Sequence, residues 1–461
     1  MAERIPVAFE GDGAGTAELT WGQREMWRTM RWLDSWMPIP LVRELPEGTT
    51  VADVVADLRF VMSRYPSMRT RLDTAGDGMP RQVLAHKGIV DLEVEDVPDG
   101  DDPAKAAEAM RERFENAAFD FVRDWPVRMG VVRQCGRAVY QVSVVCHLAV
   151  DGFATGRIDA DLAGRDPVTG HAPAPPPGTQ LLELADWQSS PAGQRQCDRA
   201  LRYWERQLAA LAPGRPAASA HRSVPPYLRL RFESPVISAP PYLRLRFESP
   251  AMYLAAQVIA ERLQEPFASV LLTLFAAART RVSGVSPVAV LVVSSNRFRP
   301  GLADVVSPLI QPALCVFDLA GLTFADAVGQ VRQRSSAAFM NAYYDPVRLD
   351  ELIDRMAAER GGDIDLRCFY NDRLAFAQKP AGPVPTLDQV RAARERSTAH
   401  WLPYQNSQGE RLFVHVNAAP EGLVLGVTTE GYVSAADAHA CATEMESLAI
   451  AAAGDPTIPA G

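Results

Sequence analysis

Apolar residues recur at helical spacing in several long segments of the chain. In Thr50–Tyr65, valine, leucine and methionine side chains repeat along one face, behind a threonine that can cap the first turn. Asp102–Phe119 shows the same amphipathic pattern and opens with Asp-Pro, which is typical of the start of a helix. The same spacing predicts further helices over Ala251–Gln264, Pro266–Arg281, Phe324–Met340 and Ser434–Ala453.

Other segments have the β-branched composition that is typical of strands. Ala138–His147 alternates along its length, and Val288–Ser294 is a continuous apolar run that predicts a buried strand. Arg411–Val416 and Leu423–Thr429 are predicted to pair with each other. Because helices and strands occur in both halves of the chain, we expect the α/β (α+β) class with two subdomains of similar size.

A proline-rich segment, Ala172–Gly178, is a candidate boundary between these subdomains. Its sequence, APAPPPG, can form neither a helix nor a central strand. We therefore predict an N-terminal subdomain over residues 1–178 and a C-terminal subdomain over residues 179–461.

One segment of the predicted C-terminal subdomain is duplicated. PPYLRLRFESP occurs at Pro225–Pro235 and again, unchanged, at Pro240–Pro250. A repeat architecture needs at least three copies of a longer unit, so a solenoid is not indicated. The second copy leads directly into a predicted helix, and we expect Tyr242–Glu248 to be an integral strand. The preceding Pro225–Ala239 is expected to be a surface excursion or a poorly ordered segment.

Composition narrows the class of protein. The 461 residues are 47% hydrophobic and 22% charged, which is typical of a globular protein. The 47 basic and 56 acidic residues give a net charge of −9, which argues against a nucleic-acid binder. We found no apolar run long enough to span a bilayer and no secretory signal, and we therefore expect a soluble, cytoplasmic, monomeric protein without membrane association.

The familiar cofactor and nucleophile motifs are absent from the sequence. The six cysteines are too far apart for a CxxC redox pair or a zinc site. There is also no GxxxxGK[ST], GxGxxG or GxSxG motif. We therefore expect neither a metal nor a bound nucleotide, and no serine-hydrolase chemistry.

His147 at the end of a predicted strand is the main candidate for chemistry. Strand alternation places it on the face of Gln141 and Ser143, which is polar enough to be a channel wall, and places Cys146 on the opposite, apolar face. A neutral imidazole can accept a proton from an attacking amine or hydroxyl group. The alternative is that His147 is a structural histidine of the core.

Several segments resemble the condensation domains of nonribosomal peptide synthetases. Val145–Ala154 (VCHLAVDGFA) is similar to the family's HHxxxDG motif, and Leu19–Trp27 (LTWGQREMW) is similar to its opening motif. Weaker matches follow in the family's order, and together they cover the chain from about residue 17 to its end. These segments are Arg64–Leu72, Leu184–Gln188 with Tyr203 and Trp204, Ser294–Pro300, Val306–Cys315 and Asn341–Pro346.

The resemblance implies a role for each residue of the motif. His147 would be the catalytic residue, while Cys146, which replaces the family's first histidine, would be structural. Asp151 would form a structural ion pair with Arg297, deep between the subdomains, and Gly152 would supply a tight turn. Asp151 as a helix cap or solvated carboxylate, and Gly152 as an ordinary turn glycine, are the alternatives.

The resemblance also implies a fold and a reaction. The fold would be two chloramphenicol-acetyltransferase-like subdomains in a V shape, with an active-site tunnel between them. A free-standing condensation enzyme would join an acyl or aminoacyl thioester to a small-molecule or carrier-bound amine acceptor in natural-product biosynthesis. No cofactor would be bound permanently, because the phosphopantetheine arm belongs to a peptidyl or acyl carrier protein acting in trans. An O-acyltransferase that forms an ester, or a non-catalytic domain that recruits partners to a carrier-bound peptide, are the alternatives.

Overall fold

The structure, a computed structural model, describes residues 3–76, 78–166, 178–211, 242–362, 364–374, 383–404, 412–429 and 433–461. The chain divides into two compact units. The first comprises Met1–Arg195 with Ser295–Ile310, and the second comprises Gln196–Ser294 with Gln311–Gly461. The predicted division after residue 178 lies earlier in the chain than the end of the first unit. The proline-rich segment that suggested it falls outside the described residues, except for Gly178.

The first unit contains two sheets and five helices among its described residues. A five-stranded sheet has the order β1-β6-β7-β8-β3, and a three-stranded sheet has the order β2-β5-β4. The pair β6–β7 is parallel and the other pairs in both sheets are antiparallel. The elements are β1 (Glu3–Glu10), β2 (Gly15–Glu18), α1 (Trp21–Leu33), β3 (Pro38–Glu44), α2 (Val51–Arg64), β4 (Thr70–Asp73), β5 (Arg81–Leu84), β6 (Lys87–Val97), α3 (Pro103–Asn116), β7 (Val127–Gln134), β8 (Arg137–Cys146), α4 (Gly152–Ala163) and α5 (Leu181–Ser189).

Apolar cores lie on both faces of the five-stranded sheet. One core combines β1, β6 and β7 with α2 and α4, and includes the fully buried Leu58 and Val131. The other combines β7 and β8 with α1 and α3, and includes Met30 and Val144. Both faces of β8 are therefore buried, so its central residues are held by packing from two sides.

The second unit is built on one seven-stranded sheet. Its order is β11-β10-β12-β14-β15-β9-β13, in which β12 pairs in parallel with β10 and β14. Helices α7, α8 and α12 pack against one another and against this sheet. The elements are α6 (Pro191–Ala209), which begins in the first unit, β9 (Tyr242–Ser249), α7 (Pro250–Leu263), α8 (Phe267–Ser283), β10 (Val288–Ser294), β11 (Gln311–Phe317), α9 (Phe324–Met340), α10 (Pro346–Arg360), β12 (Cys368–Asp372), α11 (Leu387–Ala393), β13 (Thr398–Tyr404), β14 (Leu412–Ala419), β15 (Gly422–Thr429) and α12 (Ala435–Gly454).

The duplicated segment supplies one strand of this sheet. The predicted strand Tyr242–Glu248 is confirmed as β9, which pairs with both β13 and β15 and is followed at once by α7. Ser249 caps α7 by accepting a hydrogen bond from the Met252 amide at 2.9 Å. The first copy, Pro225–Pro235, lies outside the described residues.

Candidate active site

His147 follows directly after the last residue of β8. Its backbone amide donates to the Met37 carbonyl at 3.2 Å, and the Cys146 amide donates to Pro126 at 2.8 Å. The chain then turns, because the Ala149 amide donates back to Cys146 at 2.9 Å. The His147 side chain is half-buried and its Nδ1 atom is buried. The imidazole is therefore presented at the end of a strand that is fixed on both faces.

The alternation predicted for β8 is present, but its polar face is not a wetted surface. Cys146 lies with Val142 and Val144 in the core, all three at most 1% exposed. On the other face Gln141 and Ser143 are also buried, and the Gln141 amide nitrogen lies 3.2 Å from Ser143 Oγ. These two side chains satisfy part of each other's hydrogen-bonding capacity. A polar strand face therefore did not predict exposure here.

Cys146 has the surroundings of a structural thiol. Its Sγ lies 3.4 Å from the Trp36 carbonyl oxygen, to which it can donate. Burial raises the pKa of the Cys146 thiol to about 12, because a thiolate would be poorly solvated there. A thiol that stays protonated near pH 7 is a weak nucleophile.

The carboxylate of Asp151 is fully buried and accepts three hydrogen bonds. Asp151 is the N-cap of α4, and its Oδ1 accepts from the Ala154 amide at 2.9 Å. Its Oδ2 accepts from the Leu309 amide at 2.9 Å and from Arg297 Nη1 at 2.8 Å. Asp151 is thus both a cap and an ion-pair partner, and it fixes the end of the turn that carries His147.

Arg297 connects this turn to the segment Ser295–Ile310. Its Nη2 donates to the carbonyls of Val305 and Ser307 at 3.0 and 3.1 Å. The same segment is closed by Asn296, whose side-chain amide donates to the Leu309 carbonyl at 2.9 Å. Arg297 was expected to belong to the C-terminal subdomain and to pair with Asp151 between the two subdomains. This location is wrong, because Ser295–Ile310 belongs to the first unit and the Asp151–Arg297 pair therefore lies within that unit.

A second ionic cluster holds α4 in the first unit. Asp161 accepts from Arg64 Nε at 2.7 Å and from the Tyr65 hydroxyl at 2.6 Å, and it also pairs with Arg157. Arg157 in turn lies 3.1 Å from Asp304 in the Ser295–Ile310 segment. Sequence analysis did not identify Asp161. The available signal was its position four residues after Arg157, which is typical of a helical ion pair.

Gly152, for which the resemblance implied a tight turn, is the first residue of α4, and its φ angle is not positive. A glycine is required at Gly22 on α1, where a Cβ atom would collide with the carbonyl oxygen of Pro308. This close approach fixes the Ser295–Ile310 segment against α1.

These contacts give His147 a fixed place at the end of β8. Among the described residues, no group of three His, Cys, Asp or Glu side chains could hold a metal ion. No helix in the described part of the chain is long and apolar enough to cross a membrane. A positioned imidazole is suited to general-base or proton-transfer chemistry.

The fold and the site define a class of α/β protein in which a buried Asp–Arg pair holds a CHxxxDG turn. Residues 14–371, more than half of the chain, match the family described as Condensation domain. The chain belongs to this family.

Curated relatives and solved structures agree with this assignment. The chain is 29% identical over 348 residues to the isonitrile lipopeptide synthase of Mycobacterium tuberculosis, a match that covers 73% of the chain and 13% of that protein. The chain thus spans only a small part of the curated relatives it matches.

Similarity in fold extends over nearly the whole chain. The condensation domain of the enacyloxin polyketide synthase has a TM-score of 0.67 at 21% identity, covering 96% of this chain and 82% of that one. The X-domain from teicoplanin biosynthesis has a TM-score of 0.68 at 17% identity, covering 98% of each chain. At these identities the likeness establishes the fold, including its two-subdomain α/β class.

Proposed function

We propose that this chain catalyses amide formation between a carrier-bound acyl or aminoacyl thioester and an amine acceptor. The observation that supports this most is the position of His147 at the end of β8, in a turn fixed by the buried Asp151 carboxylate. Membership of the Condensation domain family supports the same reaction class.

In the proposed reaction the acceptor nitrogen attacks the thioester carbonyl carbon. A C–N bond forms, the C–S bond breaks, and the thiol leaves as the pantetheine thiolate. His147 orients the amine and accepts the proton that it loses, and this proton then passes to the thiolate, so that charge is balanced. The pantetheine arm is part of the donor substrate and is carried by a partner protein that acts in trans. This chain itself acts as a monomer.

The test is product formation by the purified chain, followed by mass spectrometry. Donor thioesters on a carrier protein are incubated with amine acceptors, and alcohol acceptors are run in parallel. We expect amide products, and we expect His147→Ala to lower the rate roughly 10²-fold or more with little change in melting temperature. His86→Ala is the matched control, because the His86 side chain is half exposed on the same unit and lies 3.1 Å from the exposed Glu10.

Other results would assign a different role. Esters formed in preference to amides would make the chain an O-acyltransferase. A folded wild-type protein that forms no product with any acceptor would favour a recruiting role, for which binding to a carrier-bound peptide is the direct measurement. Full activity of His147→Ala would remove His147 from the mechanism.

A further inference from the structure

Helix α6 carries a row of positive charge along one exposed face. Arg199, Arg202 and Arg206 are spaced three and four residues apart, so their side chains lie one above another on the helix surface. All three residues are exposed, and the row is about 10 Å long. These three residues, which belong to the second unit, are called the arginine row below.

The carboxylates of the same helix are already neutralised by α10. Asp198 lies 2.7 Å from Arg348, and Glu205 lies 2.9 Å from Arg355. By contrast, no arginine of the row forms an ion pair with a carboxylate in the described part of the chain, and Arg199 donates to a neutral glutamine of α6. The positive charge of the row is therefore not compensated by the residues around it.

Arg334 on α9 adds a fourth charge beside the row. It is exposed, its Nη1 donates to the Val316 carbonyl at 3.2 Å, and it has no ion pair among the residues that the structure describes. Burial raises the pKa of the Tyr203 hydroxyl, and the charges of Arg334 and Arg206 both act to lower it, which places both arginines near Tyr203. The second unit thus presents four neighbouring positive charges, although the net charge of the chain is −9.

Folding of α6 does not account for the arginine row. Like charges three or four residues apart weaken a helix, and the row contains two such pairs in succession. The two carboxylates of α6 pair with α10 and do not offset this repulsion. An anionic partner bound along the row would offset it.

The surroundings of the row favour a protein as this partner. Bases of a single-stranded nucleic acid need exposed aromatic side chains to stack on, but Tyr203 and Trp204 of α6 are only 7% and 1% exposed. A helix that binds a membrane surface needs an exposed apolar face, and no large apolar side chain of α6, which is described throughout, is exposed. A helix with carboxylates three and four residues apart repeats the spacing of the row.

We propose that the arginine row, together with Arg334, is a docking surface for an acidic helix of a partner protein. Each guanidinium of the row would pair with one carboxylate of that helix, for which its planar fork of donors is suited. Exposed ion pairs are individually weak, so we expect the complex to be reversible and sensitive to salt. The inference goes beyond the proposed function, since it assigns a partner surface on the second unit and involves no residue of the CHxxxDG turn.

Fluorescence anisotropy of a labelled, alanine-rich peptide measures the docking directly. The peptide is about 20 residues long, which allows it to form a helix on its own, and it carries three glutamates spaced three and four residues apart. A second peptide has glutamine at the same positions. We expect the wild type to bind the glutamate peptide roughly tenfold more tightly than the glutamine peptide, and less so as salt is raised. The triple variant Arg199→Gln, Arg202→Gln, Arg206→Gln should lose this preference.

The matched control removes the same charge from arginines of the same unit that do have partners. The side chains of Arg246, Arg391 and Arg396 are 46%, 66% and 54% exposed, and each pairs with a carboxylate at the surface. The combined variant Arg246→Gln, Arg391→Gln, Arg396→Gln should keep the preference for the glutamate peptide. Equal binding of both peptides by the wild type, or an equal loss in the control variant, overturns the proposal, because net charge and not the row would then be responsible.

A labelled single-stranded thymidine oligonucleotide tests the other class of anionic partner. If it binds more tightly than the glutamate peptide and loses binding in the row variant, the surface is one for nucleic acid and the proposal is overturned. Should the triple variant fail to fold, Arg202→Gln in the middle of the row gives the same comparison with a smaller effect. Binding needs no turnover, so absence of a peptide preference leaves the proposed amide formation intact, and absence of amide products leaves the docking surface intact.

Discussion

Removing the Asp151 carboxylate should destabilise the first unit strongly. Asp151→Ala deletes a helix cap, a bond from the Leu309 amide and the 2.8 Å contact with Arg297, whose side chain is 9% exposed. Breaking a buried pair from one side costs about 3–5 kcal/mol, because the remaining charge is left without compensation. For a unit of this size that corresponds to a fall in melting temperature of about 6–20 °C.

The measurement is calorimetry together with denaturant unfolding of the purified variant. Asp159→Ala is the matched control, because Asp159 lies on the same helix and pairs with Arg43 at 2.6 Å, but both side chains are more than 40% exposed. It should cost at most about 1 kcal/mol. In a double-mutant cycle, adding Arg297→Met should recover part of the loss, since it removes the stranded charge. A loss below 1 kcal/mol for Asp151→Ala, or strictly additive effects, would refute this account of the turn.

Three further outcomes test other parts of the molecule. Burial and the nearby charges of Arg373 and Arg244 hold the pKa of His415 well below its usual range. The unfolded chain therefore binds a proton below about pH 6.5 that the folded chain does not, so the free energy of unfolding should decrease as the pH is lowered from 8 to 5. His415→Phe should remove this pH-dependent loss of stability, as denaturant titrations at both pH values would show. Cys135 is exposed and the other five cysteines are buried, so iodoacetamide should label Cys135 alone in the native protein. The hydrogen bond to Asp99 raises the pKa of the Cys135 thiol, so labelling should become faster as the pH rises, and Cys135→Ser should abolish it. Deleting Pro225–Ala239 should preserve the fold and activity, because it leaves one intact copy of PPYLRLRFESP to form β9; insoluble protein would contradict this.

Elements with strong local signals were predicted well. The helix expected over Thr50–Tyr65 is α2, Val51–Arg64, and Thr50 caps it by accepting from the Asp53 amide at 3.2 Å. The expected pair of strands near the C-terminus is the antiparallel hairpin of β14 and β15. In both cases periodicity and flanking residues lie within about twenty positions, so one stretch of sequence contains the whole signal.

Contacts between distant segments were predicted less well. The sequence motif suggested that Asp151 meets Arg297, and the two groups are indeed 2.8 Å apart. That both residues belong to the first unit was not predicted, because nothing in the local sequence pattern of Ser295–Ile310 shows that this segment belongs to the first unit. Ser67 and Arg71 were part of a recognised segment, but only the packing reveals that these residues line one small cavity together with Cys146.

The structure separates the residues that hold His147 from those that border the cavity. Asp151 fixes the turn through backbone amides and Arg297, and none of these groups lines the cavity. Cys146 lines it from the core face of β8. A substitution at position 146, 67 or 71 is therefore expected to leave the bonds of the turn in place. This division explains how a cysteine can replace the first histidine of the family motif without removing the support of the second.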